Sequence, residues 1–155
     1  MELKFVRASS EDIEDLYFRL KETLMYYQPY DNDLEPELTR IYKRLKTHIS
    51  DYTLVKYRGE KAAYYYFHEE NGKMRIDDLY VLQRFRGRGI GSSVLRRCMS
   101  ETELPIIAEL YDADIRSMSL FRHHAFLRTD QLTIRKCIME NKNSEPYIEQ
   151  LYYKF

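Results

Sequence analysis

Leu79-Tyr-Val-Leu-Gln-Arg-Phe-Arg-Gly-Arg-Gly-Ile-Gly-Ser-Ser-Val-Leu95 decides the reading of this chain. It opens as an apolar strand, passes through a glycine-rich turn and runs into helical apolar spacing. Gly87, Gly89 and Gly91 are three of the five glycines in the whole sequence. One glycine serves a turn. Three at alternate positions predict a backbone that needs conformational freedom or must stay bare. A helix that starts inside such a turn presents unpaired N–H groups and the positive end of its dipole, a combination that binds phosphate. Arg84, Arg86 and Arg88 surround the turn with positive charge.

Spacing narrows the ligand. A Walker A loop requires a lysine that is absent here. The dinucleotide fingerprint and the kinase loop both require glycine where Ser92 stands. Arg86-x-x-Gly89-x-Gly91 instead resembles the Arg/Gln-x-x-Gly-x-Gly/Ala signature of the GNAT superfamily of acyl-CoA N-acetyltransferases. Ile76-Asp-Asp-Leu-Tyr-Val81 is similar to that family's fourth strand and stands directly before the loop, as the family requires. The acidic pair, the hydrophobic-aromatic-Val run and Arg-Gly-x-Gly-Ile-Gly-Ser are similar to the diamine and polyamine branch.

The resemblance implies acetyl-CoA as co-substrate. Its pyrophosphate would lie on Arg86, Gly87, Arg88, Gly89, Ile90, Gly91 and Ser92. Its pantetheine arm would pair with the backbone of Leu79, Tyr80 and Val81, in the gap between splayed fourth and fifth strands. Asp114 and Phe121, on the helix after the fifth strand, complete the implied cofactor set.

A length of 155 residues suits one domain. Formal net charge is zero, so no global field points to nucleic acid or an anionic membrane. No apolar run is long enough to span a bilayer, and Met1–Val6 lacks the layout of a signal peptide. Cys98 and Cys137 lie far apart. They read as buried reduced thiols of a cytoplasmic protein, and neither they nor the histidines show metal-ligand spacing, so no metal is expected. The fifteen tyrosines, with no tryptophan, predict half-buried residues, some lining a cleft or a homodimer contact.

Periodicity gives the order β, α, α, β, β, β, α, β, α, β(β). Strands are expected at 3–7, 52–57, 61–68, 74–82 and 105–111, with a closing pair or one bent strand over 126–139. Ser10 is expected to cap the first helix, Pro36 to sit in the first turn of the second, and Asp114 to cap the last. This agrees with the GNAT topology: a mixed α+β fold whose central, mostly antiparallel sheet holds a parallel fourth–fifth strand pair flanked by helices. The whole chain, 1–155, is then a single domain with 141–155 as a tail outside its core motifs.

Acetyl transfer to an amine needs a neutral amine, a donor for the oxyanion and a proton for the leaving thiolate. Neighbours on a strand face opposite ways, so only one of Asp77 and Asp78 can face a cleft. Asp77 stands where polyamine-type enzymes place a glutamate, and is the expected catalytic acid–base residue. A bare anchoring role, paired with Arg75, is its alternative, and Glu109 is a further candidate base.

The family's proton-donating tyrosine is replaced by Phe121, within Asp114-Ile-Arg-Ser-Met-Ser-Leu-Phe-Arg-His-His-Ala-Phe126. Tyr111, His123 and His124 are the substitutes. Tyr26, Tyr27, Tyr30, Asp31, Asp33 and Glu35, in the turn between the first two helices, suit a small cationic amine acceptor. An accessory module that binds acyl-CoA with little turnover and a protein or peptide N-acetyltransferase remain as alternatives.

Overall fold

A computed structural model describes residues 2–28, 33–131 and 136–142. Tyr30 and Asp31 of the acceptor turn lie outside the described residues, as does the tail from 143 onward. The chain forms two compact units, one of Met1–Phe67 with Asp78–Arg88, the other of His68–Asp77 with Gly89–Phe155. The first holds β1 (Leu3–Arg7), α1 (Ile13–Tyr27), α2 (Glu35–His48) and β2 (Tyr52–Tyr57). The second holds α3 (Ile90–Ser100), β5 (Ile106–Tyr111), α4 (Ile115–His123), β6 (Leu127–Gln131) and β7 (Lys136–Asn141). β3 (Glu60–Glu70) and β4 (Lys73–Val81) contribute residues to both, and the hydrogen-bonded strand order is β1-β2-β3-β4-β5-β7-β6.

β3 is longer than the expected 61–68 because its turns are tight. Asn71 and Gly72 take φ of 54° and 80°, and Arg58 and Gly59 take 52° and 79°. Two successive left-handed residues make a type I′ hairpin turn, whose twist matches that of the strands it joins. Only two residues are then lost to each connection.

β4 and β5 run parallel, pairing Met74 with Ile106 and Arg75 with Ile107. Beyond Arg75, β4 is interrupted by Asp78 at φ 54°, a left-handed residue inside a strand. The closing segment is two antiparallel strands, β6 on β7, and β7 also pairs with β5 from Ile106↔Asn141 to Tyr111↔Lys136. Asn141 is therefore a strand residue, buried, with Nδ2 donating to the His124 carbonyl at 2.7 Å.

Tyrosine is core material in the first unit, beyond the half-burial expected. Tyr52, Tyr64, Tyr65 and Tyr66 are all buried, the last three in succession, so β3 is covered on both faces. Tyr66 lies between Tyr52, 4.6 Å away, and His48, 5.5 Å away, with both rings stacked on it. A buried phenol needs a partner. Tyr64 Oη donates to Asp12 Oδ1 at 3.1 Å, and Asp12 also takes Lys61 Nζ at 2.6 Å and the Ser9 N–H at 2.9 Å. Ser9, one residue before the expected cap, thus opens the first helical turn. Burial alone would raise the Asp12 carboxyl, but these donors outweigh it and hold it below its ordinary value.

The second unit packs Val94, Leu95 and Cys98 of α3, Met118 and Phe121 of α4, and Cys137 and Met139 of β7. Burial pushes the Cys98 thiol up to about 12 and raises that of Cys137.

Helix α4 closes in a Schellman motif. The Phe126 N–H donates to the Phe121 carbonyl and the Ala125 N–H to the Arg122 carbonyl, both at 3.0 Å. Ala125 holds the left-handed position, φ 67°, that glycine ordinarily fills. Its Cβ costs about 1–2 kcal/mol there, partly offset in the unfolded chain by glycine's greater entropy. Ala125→Gly is therefore expected to stabilise the protein by about 0.5–1 kcal/mol, read as a higher urea midpoint at unchanged slope.

Candidate active site

The glycine loop divides its labour. Gly87 and Gly89 take φ of 78° and 80°, which only glycine adopts without strain, and Gly89 is the N-cap of α3. The first N–H groups of α3 therefore emerge from a backbone with no side chain at its cap. Gly91 is different. A Cβ there would stand 2.8 Å from Leu120 Cδ2, so its bareness admits the α4 side chain. Ser92, in the first turn of α3, has Oγ 3.0 Å from His124 Nε2. Burial, with His123 and Arg96 adding to it, lowers the His124 pKa, so this ring is neutral rather than a charged helix end.

Arg86 does not simply face outward. Its Nε donates to the Val81 carbonyl at 2.9 Å and its guanidinium lies 5.3 Å from the Tyr80 ring. The arginine folds the loop back on the end of β4. Arg19 lies near the same ring at 5.8 Å, so Tyr80 carries two cations.

The acidic pair separates as the alternation requires. Asp78, 11 % exposed, receives Arg44 Nε and Nη2 at 2.9 and 2.8 Å and Tyr52 Oη at 2.5 Å. It is an anchor. Burial, then the Asp78 charge, raises the Tyr52 pKa. Asp77, 19 % exposed, faces another set of partners. His68 Nε2 lies 2.7 Å from its Oδ2, and Arg75 reaches both oxygens at 3.2 and 3.3 Å. Arg75 also meets Glu109 at 2.9 Å, which ties the second candidate base into the same cluster. Burial alone would raise the Asp77 carboxyl, but the His68 and Arg75 hydrogen bonds win and hold it below its ordinary value. A carboxylate held that low is a poor proton acceptor near neutral pH.

His68 escapes the reading of the sequence, though a signal for it exists. Counting outward from a two-residue turn at Asn71-Gly72 puts His68, Arg75 and Asp77 on one face of the hairpin.

Asp114 and Phe121 both have structural contacts on α4. Asp114 caps α4, accepting from the Ser117 N–H at 3.1 Å and Ser117 Oγ at 2.6 Å. Phe121 is 1 % exposed and meets Phe126 edge-to-face at 4.9 Å, the apolar contact that accompanies a Schellman turn. Phe121→Tyr would bury a hydroxyl there. We expect it to cost about 1–3 kcal/mol and to leave turnover no faster, checked by urea unfolding beside steady-state rates.

Tyr111 ends β5, with Lys136 Nζ 5.2 Å from its ring. Tyr26 is 76 % exposed and meets Tyr27 edge-to-face at 5.0 Å, while Asp33 and Glu35 stand at the surface. Among the described residues no His, Cys, Asp and Glu group is placed to hold a metal, and no helix is long and apolar enough to cross a membrane.

Solved structures share this fold at low identity. PaiA N-acetyltransferase from Thermoplasma acidophilum, in complex with coenzyme A, superposes with a TM-score of 0.71 at 16 % identity, covering 92 % of this chain and 99 % of that one. An acetyltransferase from Thermus thermophilus gives 0.69 at 17 %, covering 91 % and 97 %. An N-acetyltransferase from Staphylococcus aureus gives 0.69 at 12 %, covering 89 % and 100 %. No curated protein sequence matches the chain. The model of the acetyltransferase (GNAT) family matches residues 11–126. With that match over most of its length, and with β4, parallel to β5, leading into a glycine loop, the chain belongs to the GNAT acetyltransferase family.

Proposed function

We propose that this protein transfers the acetyl group of acetyl-CoA to the primary amine of a small cationic molecule. The observation that carries the cofactor is the left-handed Gly87 and Gly89 opening α3, a cap without side chains where an anion can approach N–H groups. A coenzyme A complex of the Thermoplasma acidophilum relative supports it. In this reading Leu79, Tyr80 and Val81 lie along the pantetheine arm. The Val81 carbonyl already accepts from Arg86, which leaves Leu79 and Tyr80 as the main backbone partners. The chain acts as one catalytic domain.

The amine must lose a proton before it attacks. Because Asp77 is ionised, it accepts the hydrogen of its 2.7 Å bond to His68 Nε2. His68 is assigned as proton acceptor, directly or through water, and Asp77 as the residue that orients its ring. Tyr111 is assigned as proton donor to the leaving thiolate. The acidic residues Glu70, Asp77 and Glu109 around Arg75 outnumber the fixed cation and suit a positively charged acceptor.

The test is thiol release from acetyl-CoA against a panel of amines and N-terminal peptides, beside direct acetyl-CoA binding. Turnover with diamines or polyamines supports the proposal. Turnover confined to peptides replaces the acceptor. Binding without turnover on any amine leaves an acyl-CoA-binding module, the reading that the missing hydroxyl at Phe121 favours. Asp77→Asn is expected to lower kcat by about a hundredfold at unchanged acetyl-CoA affinity, with His68→Gln matching it. If only one of the two variants loses activity, the His68–Asp77 assignment fails.

A further inference from the structure

The outward faces of α1 and α2, neighbours in the first unit, carry opposite charge. Every exposed residue from Glu11 to Tyr26 is either acidic or apolar. The acids are Glu11, Glu14, Asp15 and Glu22, and the apolar side chains are Phe18, Met25 and Tyr26, with Phe18 58 % exposed. Among the described residues, three of the six exposed large apolar side chains are thus gathered on one helix. Phe18, Glu22 and Met25 follow the helical spacing i, i+4, i+7 and form one stripe. On α2 the exposed charged residues from Thr39 to His48 are all basic: Arg40, Lys43 and Lys46. Asp15 and Arg40 have ion pairs within their own helices, to Arg19 and Glu37. Glu11, Glu14, Glu22, Lys43 and Lys46 carry the remaining charge.

Tyr42 joins the two faces. Its hydroxyl donates to Glu14 Oε1 at 2.8 Å, its ring meets Tyr17 edge-to-face at 5.0 Å, and Lys46 Nζ lies 5.7 Å from its centroid. Glu14 is thereby level with the middle of α2, so the acidic start of α1 runs beside the stretch that holds Arg40, Lys43 and Lys46. The two helices make one surface with an acidic half and a basic half, and the apolar side chains lie along the acidic half.

We propose that a second copy of this chain docks on this surface, face to face, about a two-fold axis parallel to the two helices. Such an axis lays α1 of each protomer over α2 of the other. Acid then meets base twice, because an isologous interface repeats every contact. An axis across the helices would lay acid on acid and base on base, which like-charge repulsion disfavours. A partner of one sign would match half of the surface, whereas the chain's own copy matches both halves. Phe18 comes against the basic stripe of the partner subunit, where lysine stems cover the ring and ammonium groups meet its face. α1 is about 22 Å long and each helix about 10 Å wide, so the face is small for a stable dimer and the association is expected to be micromolar.

Sedimentation velocity of the full chain, over about 1 to 500 µM, tests the proposal. Wild type should pass from monomer to dimer across that range, and added salt should move the midpoint upward. Phe18→Ser should weaken association by at least about tenfold. So should each double reversal, Glu11→Lys with Glu14→Lys and Lys43→Glu with Lys46→Glu, at unchanged circular dichroism. The mixture of the two reversed proteins is decisive. Each alone sets like charges opposite each other twice, whereas one of each restores both contacts. The mixture should therefore form a one-to-one dimer where neither component does, and Phe18→Ser in both components should weaken it again. A wild type that stays monomeric at every concentration overturns the proposal. So does a dimer indifferent to the reversals and to Phe18→Ser, a mixture that stays monomeric or ignores Phe18→Ser, or growth beyond the dimer. The salt series and Phe18→Ser, at an exposed position, decide the matter even where a reversed variant fails to fold.

Discussion

Asp78→Ala is expected to destabilise the protein by about 3–5 kcal/mol, a large share of the stability of a domain this size. The substitution leaves the Arg44 guanidinium, 27 % exposed, without the carboxylate that accepts two of its N–H groups, and removes the acceptor of the buried Tyr52 hydroxyl. It also places alanine at φ 54°, where aspartate and asparagine are better tolerated. Asp78→Asn should therefore cost less, since it keeps the backbone preference and one acceptor oxygen. Arg44→Met combined with Asp78→Asn should recover part of the loss, because no unpaired charge remains. Urea unfolding of the four proteins reads these differences directly. A loss below about 1 kcal/mol in Asp78→Ala would mean that the pair is solvated and anchors nothing.

Gly89→Val should lower acetyl-CoA affinity by about a hundredfold or more. Two charge-assisted hydrogen bonds at about 1.5 kcal/mol each account for that much. At φ 80° and ψ 12° a β-branched residue is strained, and its methyl groups would stand over the amides that open α3. Gly89→Ala separates the two effects, sharing much of the backbone strain with a smaller obstruction. Gly91→Val should behave otherwise, losing stability through Leu120 with a weaker effect on affinity. Titration of folded variants, confirmed by far-UV circular dichroism, is the measurement. Undiminished affinity in a folded Gly89→Val protein would sink the loop as the phosphate site.

The element order is legible because apolar periods of 2 and 3.6 are local, and the family is legible because a glycine loop is contiguous. What the sequence does not show are pairings made at long range. Arg44 and Asp78 stand 34 residues apart, and no spacing rule joins them. The family pattern frames Phe121 as a lost proton donor. Its role in packing against Phe126 follows from a turn centred on Ala125, whose left-handed backbone a non-glycine residue conceals. Arg86 is expected at a phosphate, and the sequence does not show that its Nε also holds the Val81 carbonyl, a strand-end group that needs a donor. His68 is hidden for an opposite reason. Its partner is near in sequence, but across a hairpin whose register has to be counted rather than seen.

The buried cysteines turn thiol chemistry into a reporter. Cys98 and Cys137 are both fully enclosed in the second unit, and their thiols are raised, so folded protein should be silent toward disulfide reagents. Coenzyme A released by turnover can then be counted by such a reagent without a background from the enzyme. In the absence of substrate, the same reagent labels only molecules that have opened, and its rate becomes a clock for the excursions of that unit out of its native packing.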